Sequence, residues 1–257
     1  MKYVVFSFDD GRRDFFTRAL PILKRYHFPA TLNVVCNLVK EKTDEDGIYV
    51  SWDNIFECIE NGIEIANHSA NHNNNVEDII HGAEVLRARL GIDDKIGFAS
   101  PNSDVCLKNF EIYKPLLKSD LVSYIRSGNQ LKRDGYFYAF LYLMYKYTSS
   151  ALIYDWYNRR NIIEINQAPS TFFPSVTCNR DNTAYQVIHL IKKMPQDTAV
   201  ILMFHSIYEK DEEGYKKDKW SNTVDDFEAI CRFLSECSDV TVITHQKLCK
   251  LLDNKNV

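Results

Sequence analysis

Short apolar runs of strand length alternate with segments of helical periodicity along most of the 257 residues. Apolar residues in the helical segments recur every three or four positions, which is typical of amphipathic helices. The alternation predicts a parallel sheet whose strands are connected by helices. The predicted strands are Lys2–Phe8, Ala30–Val35, Ile63–Ala66, Ile96–Phe98, Ile162–Ile165, Ala199–Phe204 and Val240–Thr244. The predicted helices are Phe15–Tyr26, Trp52–Glu60, Val76–Leu90, Ala184–Met194, a stripe from Val224 to Leu234 and a final C-terminal helix.

The segment from Leu121 to Arg160 does not follow this alternation, because it is rich in tyrosine and lacks clear turn signals. We interpret it as an insertion or an irregular helical element at about residues 121–160. No repeat, low-complexity tract or linker divides the rest of the chain. A chain of this length can bury one large core, so residues 1–257 are predicted to form a single α/β domain.

Charge, cysteine content and hydropathy limit the class of protein. A net charge of −4 with scattered lysine and arginine predicts no nucleic-acid partner. Seven cysteines without a C-x-x-C pair argue against a disulfide framework and favour a reducing compartment. Met1-Lys2 leads directly into a strand without a signal-peptide pattern, so a cytoplasmic location is expected. Tyr136–Tyr154, the most apolar stretch, contains Lys146 and is too short and polar to span a bilayer, so no membrane span is expected.

Polar residues follow four of the predicted strands at the point where each strand ends. Asp9 and Asp10 follow the first strand, His68 follows the third, the loop Ser100-Pro101-Asn102 follows the fourth and His205 follows Ala199–Phe204. In barrels and open sheets of alternating strands and helices, the carboxyl ends of the strands meet at the face where functional sites form. These residues are therefore predicted to share one site.

The residue types at these positions favour a hydrolytic metal site. His68 and His72 are four residues apart, a spacing that in a helical turn directs both imidazoles the same way toward a metal. Taken singly, each feature has an ordinary interpretation: surface histidines in an asparagine-rich loop, a polar turn closed by Gly11, or a structural histidine at position 205. Their occurrence together at strand ends favours the metal site.

Three motifs resemble those of the polysaccharide deacetylases, the NodB-homology superfamily also known as carbohydrate esterase family 4. Ser7-Phe8-Asp9-Asp10-Gly11 is similar to the family motif T-F-D-D-G, and His68 to His72 matches H-[ST]-x-x-H. Leu202 to His205 is similar to L-x-x-H. The resemblance extends from residue 2 to about residue 250, except for the insertion. It implies a distorted (β/α)7-type barrel.

The resemblance also implies roles for these residues. Asp10, His68 and His72 would bind a divalent metal, with zinc expected and cobalt, nickel or manganese as alternatives. Asp9 would act as general base, and His205, as imidazolium, would protonate the leaving amine. The oxyanion would be held by the metal and by the backbone N–H of Asn102, in the same loop as Pro101.

Two departures from the family pattern bear on catalysis. The third family motif is R-x-P-Y, whereas this chain has Ala99-Ser100-Pro101-Asn102, so the arginine that orients the base is missing at Ala99. No convincing D-x-x-D-W motif tunes the late histidine, and Asp155-Trp156 is interpreted as structural. Trp220, in a loop after His205, either stacks on a sugar ring or packs against the protein.

The predicted function is that of a metal-dependent hydrolase that removes an acetyl group from an N-acetylated sugar or glycan precursor. The expected partner is accordingly an N-acetylated carbohydrate. One alternative is a non-catalytic homologue that binds metal and sugar, which Ala99 and the missing tuning aspartate favour. Another is an amidase that acts on a non-sugar C–N bond, because a scaffold does not determine the substrate.

Overall fold

The computed structural model describes residues 1–44, 46–128, 136–166 and 171–253. The strands are β1 (Lys2–Phe8), β2 (Ala30–Val34), β3 (Ile63–Asn67), β4 (Ile96–Ala99), β5 (Val122–Arg126), β6 (Ile162–Glu164), β7 (Phe172–Phe173), β8 (Val176–Thr177), β9 (Thr198–Phe204), β10 (Ile207–Tyr208), β11 (Asn222–Thr223) and β12 (Val240–Ile243). The α-helices are α1 (Leu20–Tyr26), α2 (Trp52–Glu60), α3 (Val76–Leu90), α4 (Phe110–Lys118), α5 (Tyr136–Thr148), α6 (Ala151–Asn158), α7 (Ala184–Lys193), α8 (Glu213–Lys217), α9 (Val224–Glu236) and α10 (His245–Asp253).

The main sheet curls into a nearly closed barrel. From β9 the parallel order runs through β1, β2, β3, β4 and β5 to β7, and β8 pairs back onto β9. One edge of β1 is shared, because β12 pairs with its N-terminal half and β2 with its C-terminal half. β6 adds an antiparallel strand to β9. The predicted α/β architecture of a distorted (β/α) barrel is confirmed.

The parallel register brings the carboxyl ends of neighbouring strands to one level. Phe8, the last residue of β1, pairs with Phe204 of β9 and with Leu32 of β2. Asn67, the last residue of β3, pairs with Phe98 of β4. The polar residues that follow these strands therefore emerge at the same end of the barrel, as the sequence predicts.

The segment predicted as an insertion begins with a strand of the barrel, which corrects its N-terminal boundary. Val122–Arg126 forms β5, which pairs with β4 on one side and β7 on the other. The strand is only five residues long and ends in a charged residue, so its apolar period is not conspicuous beside the tyrosine-rich run that follows. Helices α5 and α6 make up the later part of the segment, and residues 129–135 lie outside the described residues.

The helix predicted over Phe15–Tyr26 is divided in the structure. A π-helical turn covers Phe15–Ala19, and α1 begins at Leu20. Pro21 occupies the first turn of α1, where its missing N–H needs no intrahelical acceptor. Ser51 caps α2 with a reciprocal pair of hydrogen bonds to Asn54.

An aromatic cluster packs α9 against the barrel strands that carry the site. The Phe227 ring lies 5.4 Å from the Phe6 ring, 5.5 Å from Phe8 and 5.3 Å from Phe204, measured between centroids. All four side chains are fully buried. None of the helices in the described ranges is long and apolar enough to cross a membrane.

Replacing Phe227 with alanine should destabilise the fold by about 3–5 kcal/mol, because the truncated side chain leaves a cavity among the other three rings. Urea denaturation followed by circular dichroism measures this change. Phe56→Ala in α2 is the matched control, because its ring is 44% exposed. A loss at Phe227 no larger than at Phe56 would contradict the assigned packing.

Candidate active site

The polar residues at the strand ends surround one cavity of about 490 Å³. Its lining includes Asp9 and Asp10 after β1, His72 in the loop after β3, Asn102 after β4 and His205 after β9. His68 is buried beside His72, with 1% of its side chain exposed. The structure thus brings the residues predicted from separate strands into one site.

Asp10, His68 and His72 form a cluster of metal-ligating side chains. Their ligand atoms all lie within 4.8 Å of one another. Asp10 Oδ1 is 3.4 Å from His68 Nε2 and 3.2 Å from His72 Nε2. Carboxylate oxygen and imidazole nitrogen are both preferred ligands of zinc.

Hydrogen bonding around the cluster favours a cation at its centre. His68 Nδ1 donates to the carbonyl oxygen of Ala99 over 2.8 Å, so Nε2 presents its lone pair toward Asp10. Asp10 Oδ1 is buried and has no hydrogen-bond partner in the described part of the chain. A buried acceptor beside an imidazole lone pair costs free energy unless a cation satisfies both. The donor set therefore fits a divalent metal.

The loop from His68 to His72 is not the helical turn that the spacing predicts, which is a correction to the sequence interpretation. Ser69 and His72 both adopt left-handed backbone conformations, with φ of 65° and 58°, and α3 begins only at Val76. Side-chain bonds stabilise the loop, since Asn73 N donates to Ser69 Oγ and Asn71 N to Asp78 Oδ2. The two rings still meet, with centroids 5.0 Å apart.

Asp9 is held by one carboxylate oxygen and faces His205 with the other. Asn33 Nδ2 donates to Asp9 Oδ1 over 2.8 Å, and Arg126 Nη2 forms an ion pair with the same oxygen. Asp9 Oδ2 is 3.9 Å from His205 Nε2. Burial acts to raise the pKa of Asp9, but the Arg126 guanidinium and neighbouring histidines outweigh it and hold the pKa below its ordinary value. Asp9 is therefore ionised at neutral pH.

Arg126 and Asn33 are site residues that the sequence interpretation did not identify. Arg126 ends β5 and is fully buried, and Asn33 lies inside the buried strand β2. The signal was a polar side chain in or at the end of a strand-like run, because such a residue needs a buried partner. For Arg126 this signal was hidden by its assignment to the insertion.

His205 lies between Asp9 and the indole of Trp220. Its ring centroid is 5.4 Å from that of Trp220, with an angle of 32° between the planes. Burial lowers the pKa of His205 below its ordinary value, although Asp9 and Asp10 oppose this shift. The imidazolium form of His205 is consequently a stronger acid than a histidine in water.

The remaining predicted residues differ in how they contribute to the cavity. Asn102 lines it and has a left-handed φ of 53°, whereas Pro101 is buried and is not among the lining residues. The carbonyl oxygen of Pro101 accepts from Asn74 Nδ2 over 2.9 Å, which fixes the loop. Trp220 lines the cavity and its indole lies against the His205 ring, a position that is compatible with both predicted roles.

Helices α5 and α6 supply a tyrosine-rich wall to the same cavity. Tyr142, Tyr145 and Tyr157 line it together with the strand-end residues. The Tyr142 hydroxyl donates a hydrogen bond of 2.7 Å to Asp181 Oδ2, and Lys146 Nζ forms an ion pair with the same oxygen at 3.0 Å. Much of the predicted insertion is thereby part of the site.

Comparison with known proteins agrees with this geometry. Residues 1–96 match the family model described as polysaccharide deacetylase, a range that contains Asp9, Asp10, His68 and His72. The resemblance to the polysaccharide deacetylases is confirmed. None of the curated proteins matches the sequence significantly.

Two solved structures of similar fold align over nearly the whole chain. A family 4 acetyl xylan esterase from Clostridium thermocellum, in complex with a cobalt ion, aligns over 97% of this chain and 91% of its own, with 18% identity and a TM-score of 0.51. The peptidoglycan deacetylase PdaC from Bacillus subtilis aligns over 99% of this chain and 93% of its own, with 14% identity and a TM-score of 0.53. These likenesses support the barrel fold.

A partial alignment joins the chain to IcaB from Ammonifex degensii. It has 22% identity and a TM-score of 0.39, and it covers 47% of this chain and 57% of that chain. The chain thus spans little more than half the length of that relative.

Substituting His68 with alanine should abolish zinc binding, because it removes the ligand atom that faces Asp10 from the buried side. Purified protein loaded with zinc and passed through a desalting column should retain about one equivalent per chain. Elemental analysis should find a zinc content at least about tenfold lower in His68→Ala than in the wild type. The zinc content of His81→Ala, a change on the exposed face of α3, should equal that of the wild type. Equal zinc content in all three proteins would rule out the cluster as the metal site.

Proposed function

We propose that the protein is a metal-dependent deacetylase that hydrolyses the acetamido group of an N-acetylated sugar or glycan precursor. One observation carries the proposal: the Asp10, His68 and His72 cluster opens into the same cavity as Asp9 and His205. A metal site beside a carboxylate base and an acidic imidazolium is the equipment that amide hydrolysis requires.

Asp10, His68 and His72 would hold the metal, and zinc is the proposed ion because imidazole and carboxylate ligands suit it. The bound metal would polarise the amide carbonyl and lower the pKa of a water molecule. The protein contributes the orientation of the ligands. The bond from His68 Nδ1 to the Ala99 carbonyl fixes that ring, and the left-handed backbone at His72 directs the second.

Asp9 would take the proton from the attacking water as the oxygen bonds to the carbonyl carbon. Its ionised state suits this role, since a general base must be free of its proton before reaction. The oxygen Oδ1 is bonded to Asn33 and Arg126, so Oδ2 is the oxygen placed to accept the proton. The backbone N–H of Asn102, on the opposite loop, would donate to the developing oxyanion.

His205 would deliver a proton to the leaving nitrogen as the C–N bond breaks, so that the amine departs neutral and acetate remains. The distance of 3.9 Å between His205 Nε2 and Asp9 Oδ2 allows a proton to pass between them after a small movement or through one water. The lowered pKa of His205 makes its protonated form an effective donor.

The aromatic wall supports a carbohydrate as substrate. Trp220 and the three tyrosines of α5 and α6 offer ring faces that suit the apolar face of a pyranose. A cavity of about 490 Å³ is in the size range of small-ligand sites, which favours a short glycan precursor over the middle of a long polymer.

A reducing compartment, and with it the cytoplasm, is part of the proposal. Cys36, Cys58, Cys178, Cys231 and Cys249 are buried thiols, and burial raises the pKa of the Cys36 and Cys58 thiols to about 12. Buried, un-ionised thiols are typical of proteins that work where disulfides do not persist.

The same site would also suit an amidase that acts on a non-sugar C–N bond. A panel of acetylated substrates distinguishes that activity from sugar deacetylation. The non-catalytic alternative has weaker support than the altered third motif suggests, because Arg126 provides the cation that Ala99 cannot. Acetate release from N-acetylglucosamine, short N-acetylated oligosaccharides and simple N-acetyl amines, measured with zinc-loaded protein, tests the proposal. Release from simple amines alone would favour the amidase.

Asp9→Asn should retain zinc and lose acetate release by about a hundredfold or more, because an amide oxygen cannot take the proton from water. The readouts are kcat on the best sugar of the panel and zinc content by elemental analysis.

Asp94→Asn is the matched control, since Asp94 is an exposed aspartate that precedes the amino end of β4, away from the carboxyl ends that carry the site. A variant Asp9→Asn with wild-type kcat would exclude Asp9 as the base. If wild-type protein binds zinc and sugar but releases no acetate, the chain is a binding protein.

A further inference from the structure

We propose that Arg126 is the positioning residue for Asp9, acting across the barrel from β5 on the carboxylate that follows β1. This inference rests on the proposed function, because it assigns a role in the same reaction. It concerns a residue that lies outside the sequence range matching the family model and outside the motifs of the resemblance.

Arg126 contacts Asp9 directly. Arg126 is fully buried, and its Nη2 forms an ion pair with Asp9 Oδ1. The other guanidinium nitrogen, Nη1, is 2.7 Å from Met203 Sδ on β9, so both ends of the head group are held. An arginine buried this completely is rare without a specific partner. In the described part of the chain, Asp9 is its one ion-pair partner.

The contact with Arg126 also fixes the orientation of the Asp9 carboxylate. Arg126 and Asn33 approach the same oxygen of Asp9 from different strands. With two donors on Oδ1, rotation of the carboxylate is restricted and Oδ2 is directed to His205. With Asn33 alone, a single hydrogen bond would leave the plane of the carboxylate free to turn. Arg126 thus determines that Oδ2 is the Asp9 oxygen available to accept the proton.

The position of Arg126 in the sheet directs its side chain into the barrel. Arg126 is the register partner of Ala99 on β4, and paired residues of parallel neighbours point to the same side of the sheet. The close approach of Gly97 and Tyr124, two residues earlier on each strand, supports this, because a Cβ on Gly97 would overlap the Tyr124 ring. A side chain at either position 99 or 126 therefore projects into the barrel toward Asp9.

The resemblance places the orienting arginine at position 99, where this chain has a buried alanine. The guanidinium that is missing from β4 is present on the adjacent strand at the same level. Small Ala99 leaves room for the long side chain of Arg126, so the two residues act as a pair.

A double-mutant cycle with Arg126→Met and Asp9→Asn tests the positioning role. Arg126→Met should lower kcat by about a hundredfold, with KM changed less than about threefold and zinc content retained. In the Asp9→Asn background the same change should cost less than about fivefold, because Arg126 then has no base to orient. Arg126→Lys should recover part of kcat, since it restores the charge without the planar fork.

The double variant also controls for folding. Arg126→Met alone leaves a buried carboxylate without its cation, whereas Asp9→Asn with Arg126→Met leaves no unpaired charge at this position in the barrel. Its Tm and circular dichroism should therefore be close to those of Asp9→Asn.

An exchange of the pair adds a gain-of-function readout. Arg126→Ala combined with Ala99→Arg should exceed Arg126→Ala in kcat by about tenfold or more, because the guanidinium returns from the neighbouring strand. A structural contribution of Arg126 at β5 would not be restored by an arginine on β4.

The proposal would be overturned if Arg126→Met lowered kcat by the same factor in the wild type and in Asp9→Asn. It would also be overturned if Arg126→Met left kcat unchanged. Wild-type protein that releases no acetate would instead overturn the proposed function. In that case crystal structures of wild type and Arg126→Met decide the positioning role: the proposal stands if the Asp9 carboxylate turns away from His205 and fails if it keeps its orientation.

Discussion

The ion pair between Asp9 and Arg126 is the interaction on which the site depends. It joins β1 to β5, which are separated around the barrel by β2, β3 and β4. Moving two charges out of water costs several kilocalories per mole for each ion, so the pair persists only with good geometry and further hydrogen bonds. Asn33 supplies one such bond from β2. Buried polar and charged side chains therefore occupy the carboxyl-terminal end of the barrel, while Phe6, Phe8 and Phe204 provide the apolar packing around it.

Backbone strain is concentrated in the loops that complete the site. Five non-glycine residues there have left-handed φ values: Asp10, Ser69, His72, Asn102 and Ser103. Each such conformation costs about 1–3 kcal/mol and persists where the surroundings fix it. The bond from Asn74 to Pro101 links the loops after β3 and β4, and the bond from Asn73 to Ser69 closes the first of them. These left-handed backbone conformations direct Asp10 and His72 toward the same point, which accounts for the strain in the two loops.

The sequence predicts β1, β2, β3, β4 and β9 of the barrel, but it predicts neither β5 nor the backbone conformation of the loop after β3. β1, β3 and β9 are recognised because each is an apolar run followed closely by an acid or a histidine. β5 escapes recognition because its five residues end in arginine and precede a tyrosine-rich segment. The left-handed backbone at His72 is equally hidden, since spacing alone suggests a helix there. Both failures concern features fixed by tertiary contacts, which local periodicity does not report.

The pairing of Ala99 with Arg126 changes what an altered motif means in a barrel of this kind. A sequence motif gives the position of a residue along the chain. The orientation of the Asp9 carboxylate depends instead on where a guanidinium lies in the folded barrel. Adjacent parallel strands present register partners to the same interior, so a cation lost from one strand can be supplied by the next. The alanine in the third motif is therefore weak evidence against catalysis in this chain. It becomes strong evidence only where the neighbouring strand also lacks a basic residue at the paired position.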